Sequence, residues 1–397
     1  MTLEDRVRSA TRFTAGAVHS VRPLALPDDE QRTARNWNRQ RRWIAPVTAA
    51  AAVIAIAVTL VIVRDARNGQ PVPATHGTIP QYYVALNNAG IHKFPDQVVV
   101  GDTFTGKRLA TVNPPAHTSF TGITAAADDR TFVLSTTAWP FSAVSWDVEP
   151  RTWYLLRIAP GTDHPAQLTR LAVPPTPSGL QVAGMALSPD GTKFAVALQP
   201  NQTENSGPEH LRIYSVATGA LLRTWTGPQS SMGYGPIEGR DNNTTLSWLA
   251  DGHTLAFDYG TAVKDRIRVL DTSRPGSDLL ADSRPTAWGL QLGLCSTPVV
   301  TPDGKTVVCV AEASGAFQEY STATGKLTRT LYQGGRGFGG EVLWASPSGD
   351  ALIGYLNAGG DPSLLTSAMV GVVTQGHFRK LSFPLKSGIA LPNAVAW

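Results

Sequence analysis

The sequence predicts an all-β fold, a six-bladed β-propeller over residues 81–397, preceded by one membrane-spanning helix and a short polar tail. Three observations carry this. A pair of hairpin patterns returns along residues 81–383. The chain finishes on Leu-Pro-Asn-Ala-Val-Ala-Trp (391–397), a strand pattern with no partner following it. Residues 44–63 read IAPVTAAAAVIAIAVTLVIV, without a charge.

The first hairpin is a short apolar run, a turn and a second β-rich run. Copies are MALSPDGTKF (185–194), LSWLADGHTL (246–255), PVVTPDGKTV (298–307), LWASPSGDAL (343–352) and, more weakly, ITAAADDRTF (123–132). Pro fixes φ, Asp supplies a side-chain acceptor and Gly takes positive φ, which together specify a tight turn. The second hairpin turns about Thr-Gly: VVVGDTFTGKRLATV (98–112), LRIYSVATGALLRTW (211–225) and FQEYSTATGKLTRTL (317–331). Looser copies stand at 154–171, 267–280 and 369–383. Two hairpins make four antiparallel strands, a to d, and such a unit every ~45–60 residues is a propeller blade.

Full blades are expected near 119–175, 180–228, 243–283, 295–333 and 340–383. Residues 81–114 supply only b, c and d, so the terminal AVAW is expected to serve as the missing strand a and close the ring. Closure removes sheet edges that invite aggregation. A seven-bladed ring would require further strands hidden in the long insertions.

The Ser-Pro-Asp-Gly turn resembles that of the WD40-like and TolB-type β-propeller repeat families of bacterial proteins, over nearly all of 81–397. The resemblance implies the fold and is almost silent on activity. Regular Gly-His and Trp-Asp pairs are missing, so a eukaryotic-type scaffold role does not carry over.

Twenty apolar residues rise ~30 Å as a helix, the hydrocarbon thickness of a bilayer. Trp43 stands at the interface position and Arg39, Arg41 and Arg42 precede it, which places residues 1–43 in the cytoplasm and the large domain outside. Arg64 and Arg67 beyond the segment oppose this assignment. A cleaved signal peptide is the competing reading; it would need an unusually long leader, and no small-residue cleavage site is present. Residues 64–80 form a Pro/Gly-rich linker.

Charge is unevenly placed. Nine arginines against five acids give residues 1–43 a net +4, the linker adds +1, and residues 71–397 are left near −1 of a total of +4. The near-neutral domain argues against a nucleic-acid groove. Leu3, Val7, Ala10, Phe13, Ala17 and Val18 suggest an amphipathic helix in the tail, either docking a partner or lying near anionic lipid. With no Cys and only His19, the tail excludes a zinc-type anti-sigma module.

In a propeller the a–b and c–d turns share one face, and the b–c and d–a connections share the other. The long segments are nearly all of the second kind: 138–150, 199–210, 227–243, 284–293, 332–340 and 357–366. Loops on a rigid scaffold are where binding usually resides. The candidate binding residues are therefore Trp139, Phe141, Trp146, Tyr234, Trp288 and Phe338, with Arg240, Asp241 and Arg336 as polar contacts; folding over the blades as caps is the alternative for each aromatic. The linker enters on the short-turn face, which turns the loop face away from the membrane.

Cys295 and Cys309 flank one a–b turn, as a disulfide or as two buried thiols. No metal-ligand spacing, cofactor motif, nucleophile elbow or P-loop is present, and no catalytic residue is assigned. Asp190, Asp251 and Asp303 fall in the repeated turn, so their expected role is turn geometry. The favoured function is a non-enzymatic, membrane-anchored extracytoplasmic module that binds a protein, peptide or cell-wall ligand. The alternatives are a signalling subunit relaying through its tail, and a lyase or hydrolase with its site in the channel mouth.

Overall fold

In a computed structural model, the described residues are 79–86, 96–140, 150–159, 161–162, 165–200, 207–229, 246–259, 266–289, 295–311, 314–335, 338–358, 369–382 and 395–397. The chain divides into two units, Met1–Gln70 and Pro71–Trp397, of which only the second contains described residues. The predicted span 44–63 lies outside them. Among the described residues no helix is long and apolar enough to cross a membrane.

Six four-stranded antiparallel sheets form the ring, as the repeats predict. Blade 1 begins with β1 (Tyr82–Leu86), β2 (Val98–Asp102) and β3 (Arg108–Val112). Blade 2 holds β4 (Thr118–Ala125), β5 (Thr131–Ala138), β6 (Thr152–Ile158) and β7 (Ala166–Arg170). Blade 3 holds β8 (Leu180–Leu187), β9 (Lys193–Pro200), β10 (Pro208–Ser215) and β11 (Leu221–Gln229). Blade 4 holds β12 (Leu246–Trp248), β13 (Thr254–Tyr259), β14 (Arg266–Asp271), a short helix α1 (Leu279–Asp282) and β15 (Ser283–Gly289). Blade 5 holds β16 (Ser296–Val300), β17 (Thr306–Ala311), β18 (Ala316–Ser321) and β19 (Leu327–Tyr332). Blade 6 holds β20 (Phe338–Ala345), β21 (Ala351–Ala358), β22 (Met369–Thr374) and β23 (His377–Lys380), and β24 (Val395–Ala396) follows.

β24 pairs with β1, Ala396 opposite Val84 and Val395 opposite Ala85, and so supplies strand a of blade 1. Trp397 continues it into the core. Its indole Nε1 donates to Thr103 Oγ1 at 3.1 Å, and its ring lies 6.2 Å from that of the fully buried Tyr83.

The cores lie between neighbouring blades, because each sheet turns apolar residues to both faces. Blades 2 and 3 enclose Trp153, Phe194 and Leu198, and blades 5 and 6 enclose Phe317, Val342 and Leu352. The largest cluster joins blades 6, 1 and 2 through Tyr355, Tyr83, Phe120 and Trp397.

The a–b turns are closed as their residues dictate. Asp251 Oδ1 accepts from the amides of His253 and Thr254 at 2.9 and 2.8 Å, and Asp128 serves Arg130 and Thr131 in the same way at 3.0 and 2.9 Å. Burial opposes ionisation of Asp251, but hydrogen bonds from Thr254 and the His253 amide outweigh it and hold the carboxyl below its usual range. Three of these turns also reach the next blade: the Ala127, Ala250 and Asp303 amides donate to the carbonyls of Pro189, Pro302 and Pro347.

The Thr-Gly turns of blades 1, 3 and 5 share a second property. Gly106, Gly219 and Gly325 all take positive φ, and a Cβ on any of them would overlap backbone of the preceding blade: Ser382, Ala172 and Ala287 respectively. The corresponding glycines of blades 2 and 6, Gly161 and Gly376, have nothing within 4 Å of such an atom. Blades 1, 3 and 5 therefore dock this glycine turn on the blade before them, and blade 4 docks its longer c–d connection on blade 3, where the Thr226 amide donates to the Ser277 carbonyl at 2.8 Å.

Blade 4 departs from expectation. Its strand d was expected within 267–280, but β15 runs Ser283–Gly289. The intervening residues form α1, whose N-cap Asp278 Oδ1 accepts from the amides of Leu280 and Ala281, both at 2.9 Å. Leu279 is fully buried, and Arg268 donates from Nη2 to the carbonyls of Leu280 and Ser283 at 2.9 and 2.6 Å. That insertion displaces strand d toward the C-terminus.

Candidate binding face

Strand connectivity assigns the two faces. Strands a and c begin, and b and d finish, at the end carrying the b–c and d–a connections. The opposite end carries tight turns whose polar groups bond within the turn or to the next blade. The backbone entering β1 lies on that turn end: Gln81 donates its amide to Asp129 Oδ2 at 2.6 Å, and its carbonyl accepts from Thr103 at 2.7 Å.

Three of the nine sequence-selected binding residues are described. Trp139, half-buried at the end of β5, donates its amide to the His117 carbonyl at 2.8 Å, so it does sit at the loop end of blade 2. Phe338 opens β20 and is half-buried, in van der Waals reach of Gly315 and Gly335 of blade 5. Trp288 is 3% exposed, packed with Ile267, Cys295 and Cys309, its ring 6.3 Å from Tyr320. It is a core residue, because the displacement of β15 puts it in a strand instead of a loop. Phe141, Trp146, Tyr234, Arg240, Asp241 and Arg336 lie outside the described residues. Cys295 and Cys309 are joined by a disulfide, their Cα atoms 5.6 Å apart. It ties strands a and b of blade 5 where β16 and β17 pair irregularly, with a register shift between Ser296 and Val299.

Near the loop end of blade 2, hydroxyls line the a, b and c strands: Thr121 Oγ1 and Ser135 Oγ lie 2.9 Å apart, and Thr136 Oγ1 and Thr152 Oγ1 2.6 Å apart. In blade 4, Arg268 stacks over Tyr259 at 5.7 Å, and burial, reinforced by Glu209, pushes the Tyr259 hydroxyl up to about 12.

The acid that sequence reading missed is Glu341, on β20. Burial pushes its carboxyl up to about 7, against a hydrogen bond from Tyr355 that favours ionisation. Tyr355 stands directly opposite on β21, and burial followed by the charge of Glu341 raises its hydroxyl in turn. The sequence signal was an isolated acid in Glu-Val-Leu-Trp-Ala, obscured because the preceding Phe-Gly-Gly reads as a loop. Among the described residues no group of three or more His, Cys, Asp or Glu is placed to hold a metal ion.

No protein-family model matches the chain, and no curated protein matches it. Solved structures to which it is similar include TolB from Acinetobacter baumannii, at 15% identity over 84% of this chain and 69% of that one, TM-score 0.47. Another is a periplasmic gluconolactonase from Pseudomonas aeruginosa, at 18% identity over 75% of this chain and 82% of that one, TM-score 0.41. At these values the fold rests on the strand pairing itself.

Proposed function

We propose that this chain is a membrane-anchored extracytoplasmic β-propeller that binds a protein, peptide or cell-wall ligand through its b–c and d–a face, without catalysing a reaction. The observation that carries the reading is the asymmetry of the two faces. On the turn face, short Asp- and Ser-closed turns bond to themselves and to the next blade. Nearly every long connection belongs to the other face, the exception being the c–d connection of blade 4 that carries α1, and on that other face Trp139 sits and Phe141, Trp146, Tyr234, Arg240 and Asp241 fall in sequence. Rigid scaffolds carry recognition on such segments. The uncharged stretch 44–63 supports anchoring, with residues 1–43 inside the cell. The Arg-rich tail keeps a signalling subunit as the second reading.

The test is site-specific photo-cross-linking of the full chain in the membranes of its own source cells. A benzophenone side chain is placed at Thr203 or Asp361, which fall in sequence in the b–c connections of blades 3 and 6, and at Thr192 or Lys305 on the turn face. Adducts of one defined size from the loop positions, lost on Trp146→Ala with Tyr234→Ala, are expected. The same adducts from the turn positions would overturn the reading.

A further inference from the structure

Glu341 lies on β20, the innermost strand of blade 6. The strands packed against β20 are β16, β17, β21 and β24. None of them contains a charged residue, and apart from the disulfide-bound Cys309 their only titratable side chain is Tyr355. A carboxyl on an apolar wall is costly unless something compensates its charge. Among the described residues Glu341 receives one neutral hydrogen bond, from Tyr355, and no cation.

The local backbone adds a second, independent feature. Glu341 pairs with Tyr355 and Gly339 pairs with Asn357, so Gly339 and Glu341 share one face of β20, two residues apart. That face is turned to blade 1, since Tyr355 belongs to the cluster with Tyr83 and Trp397 while Val342 packs toward blade 5. A Cβ built on Gly339 would meet nothing within 4 Å, whereas one on Gly340, on the opposite face, would overlap the Tyr355 carbonyl. Gly339 therefore leaves a notch open toward the loop end of the strand, with the Glu341 carboxyl one step further in. Phe338, Gly339, Gly340 and Glu341 are all partly exposed, as are Leu343 and Trp344 further along the strand.

We propose that the Gly339 notch, with Glu341 and Tyr355 at its floor, is a binding site for a basic group, an ammonium or guanidinium carried by a ligand that reaches the ring from the loop face. The ligand's cation supplies the charge that the chain withholds. The carboxylate accepts from its N–H donors, and the Tyr355 hydroxyl holds the carboxyl in place. This deepens the binding reading above by naming the chemistry of one contact, and it fails separately, because its test uses small probes and no cellular partner.

The experiment is calorimetric titration of the purified full chain in mild detergent with agmatine, n-butylamine, the tripeptide acetyl-Gly-Arg-Gly-amide and, as the neutral control, n-butanol. Cationic probes are expected to bind, and butanol is not. Tighter binding of the tripeptide than of agmatine assigns the site to a peptide side chain, and the reverse order to a free amine. Glu341→Gln should weaken cation binding at least tenfold. Gly339→Val, which keeps the carboxyl and fills the notch, should weaken it at least fivefold; Gly339→Ala, a smaller change in the same open space, should give an intermediate loss. Circular dichroism confirms that each variant is folded. Equal affinity across wild type, Glu341→Gln and Gly339→Val, or equal binding of butanol and agmatine, overturns the proposal.

Discussion

Trp397→Ala tests ring closure directly. Trp397 is 5% exposed, stands 6.2 Å from the fully buried Tyr83 and donates to Thr103. Truncating a buried tryptophan to alanine removes ~3–5 kcal/mol. Leaving the buried Thr103 hydroxyl without this donor adds about 1 kcal/mol. With a denaturant slope of ~3 kcal/mol per molar, the urea midpoint should fall by ~1–2 M. Trp397→Phe keeps most of the apolar surface and loses only the indole N–H, so it should cost about 1 kcal/mol. Phe104→Ala, at a side chain 44% exposed, is the control and should stay within about 0.5 kcal/mol. Far-UV circular dichroism of the full chain in mild detergent reads the midpoint. Hydrogen exchange provides the local readout: β24 covers the edge of β1, so amides of Tyr82–Leu86 should lose protection in Trp397→Ala while those of β13 keep theirs. A Trp397→Ala midpoint indistinguishable from that of Phe104→Ala, with β1 exchange unchanged, would refute closure by the terminal strand.

Two further outcomes follow from turn packing and from the half-buried acid. Gly219→Ala should cost more than Gly161→Ala, since both take positive φ but only Gly219 lies against backbone of another blade. The conformational part is ~1–2 kcal/mol in each, and equal urea midpoints for the two would remove the inter-blade contact from the account. Glu341 keeps its proton when folded up to about pH 7 but loses it near 4.5 when unfolded. Its contribution is therefore most favourable below pH 4.5, declines as pH rises through 7, and is then constant, a loss of about 3 kcal/mol at most. Glu341→Gln should gain on the wild type between pH 4.5 and 8, and a pH-independent difference in midpoint would contradict this.

Much of the fold was legible because turn chemistry is local. Pro, Asp and Gly mark the a–b turns and Thr-Gly the c–d turns, so six blades and the pairing of the terminal strand could be read from spacing. Two features escaped, for a common reason. The shift of β15 depends on α1, whose four residues are too few for a periodic signal and are held by Arg268 from another strand. On sequence alone Trp288 consequently reads as a loop residue. Phe338, Gly339 and Gly340 looked like loop on composition, yet they pair with β21, and the tertiary register places Glu341 opposite Tyr355. The candidate site was legible only as a face: the sequence identifies which connections are long, while the acid within the ring emerges from pairing between distant segments.

The docking of c–d turns on the preceding blade bears on how such a ring can be assembled or altered. Gly106, Gly219 and Gly325 tie blade 1 to 6, 3 to 2 and 5 to 4, and the blade 4 insertion ties blade 4 to 3 through the Thr226 amide and the Ser277 carbonyl, so four of the six junctions are locked at the c–d end. One of these locks straddles the join between the two ends of the domain, where the Gly106 contact with Ser382 and the β24–β1 pairing reinforce the same junction. Removing or grafting a single blade would leave one glycine turn facing a neighbour of the wrong kind. A blade exchanged between such rings would keep these locks only if the segment it rests on travelled with it.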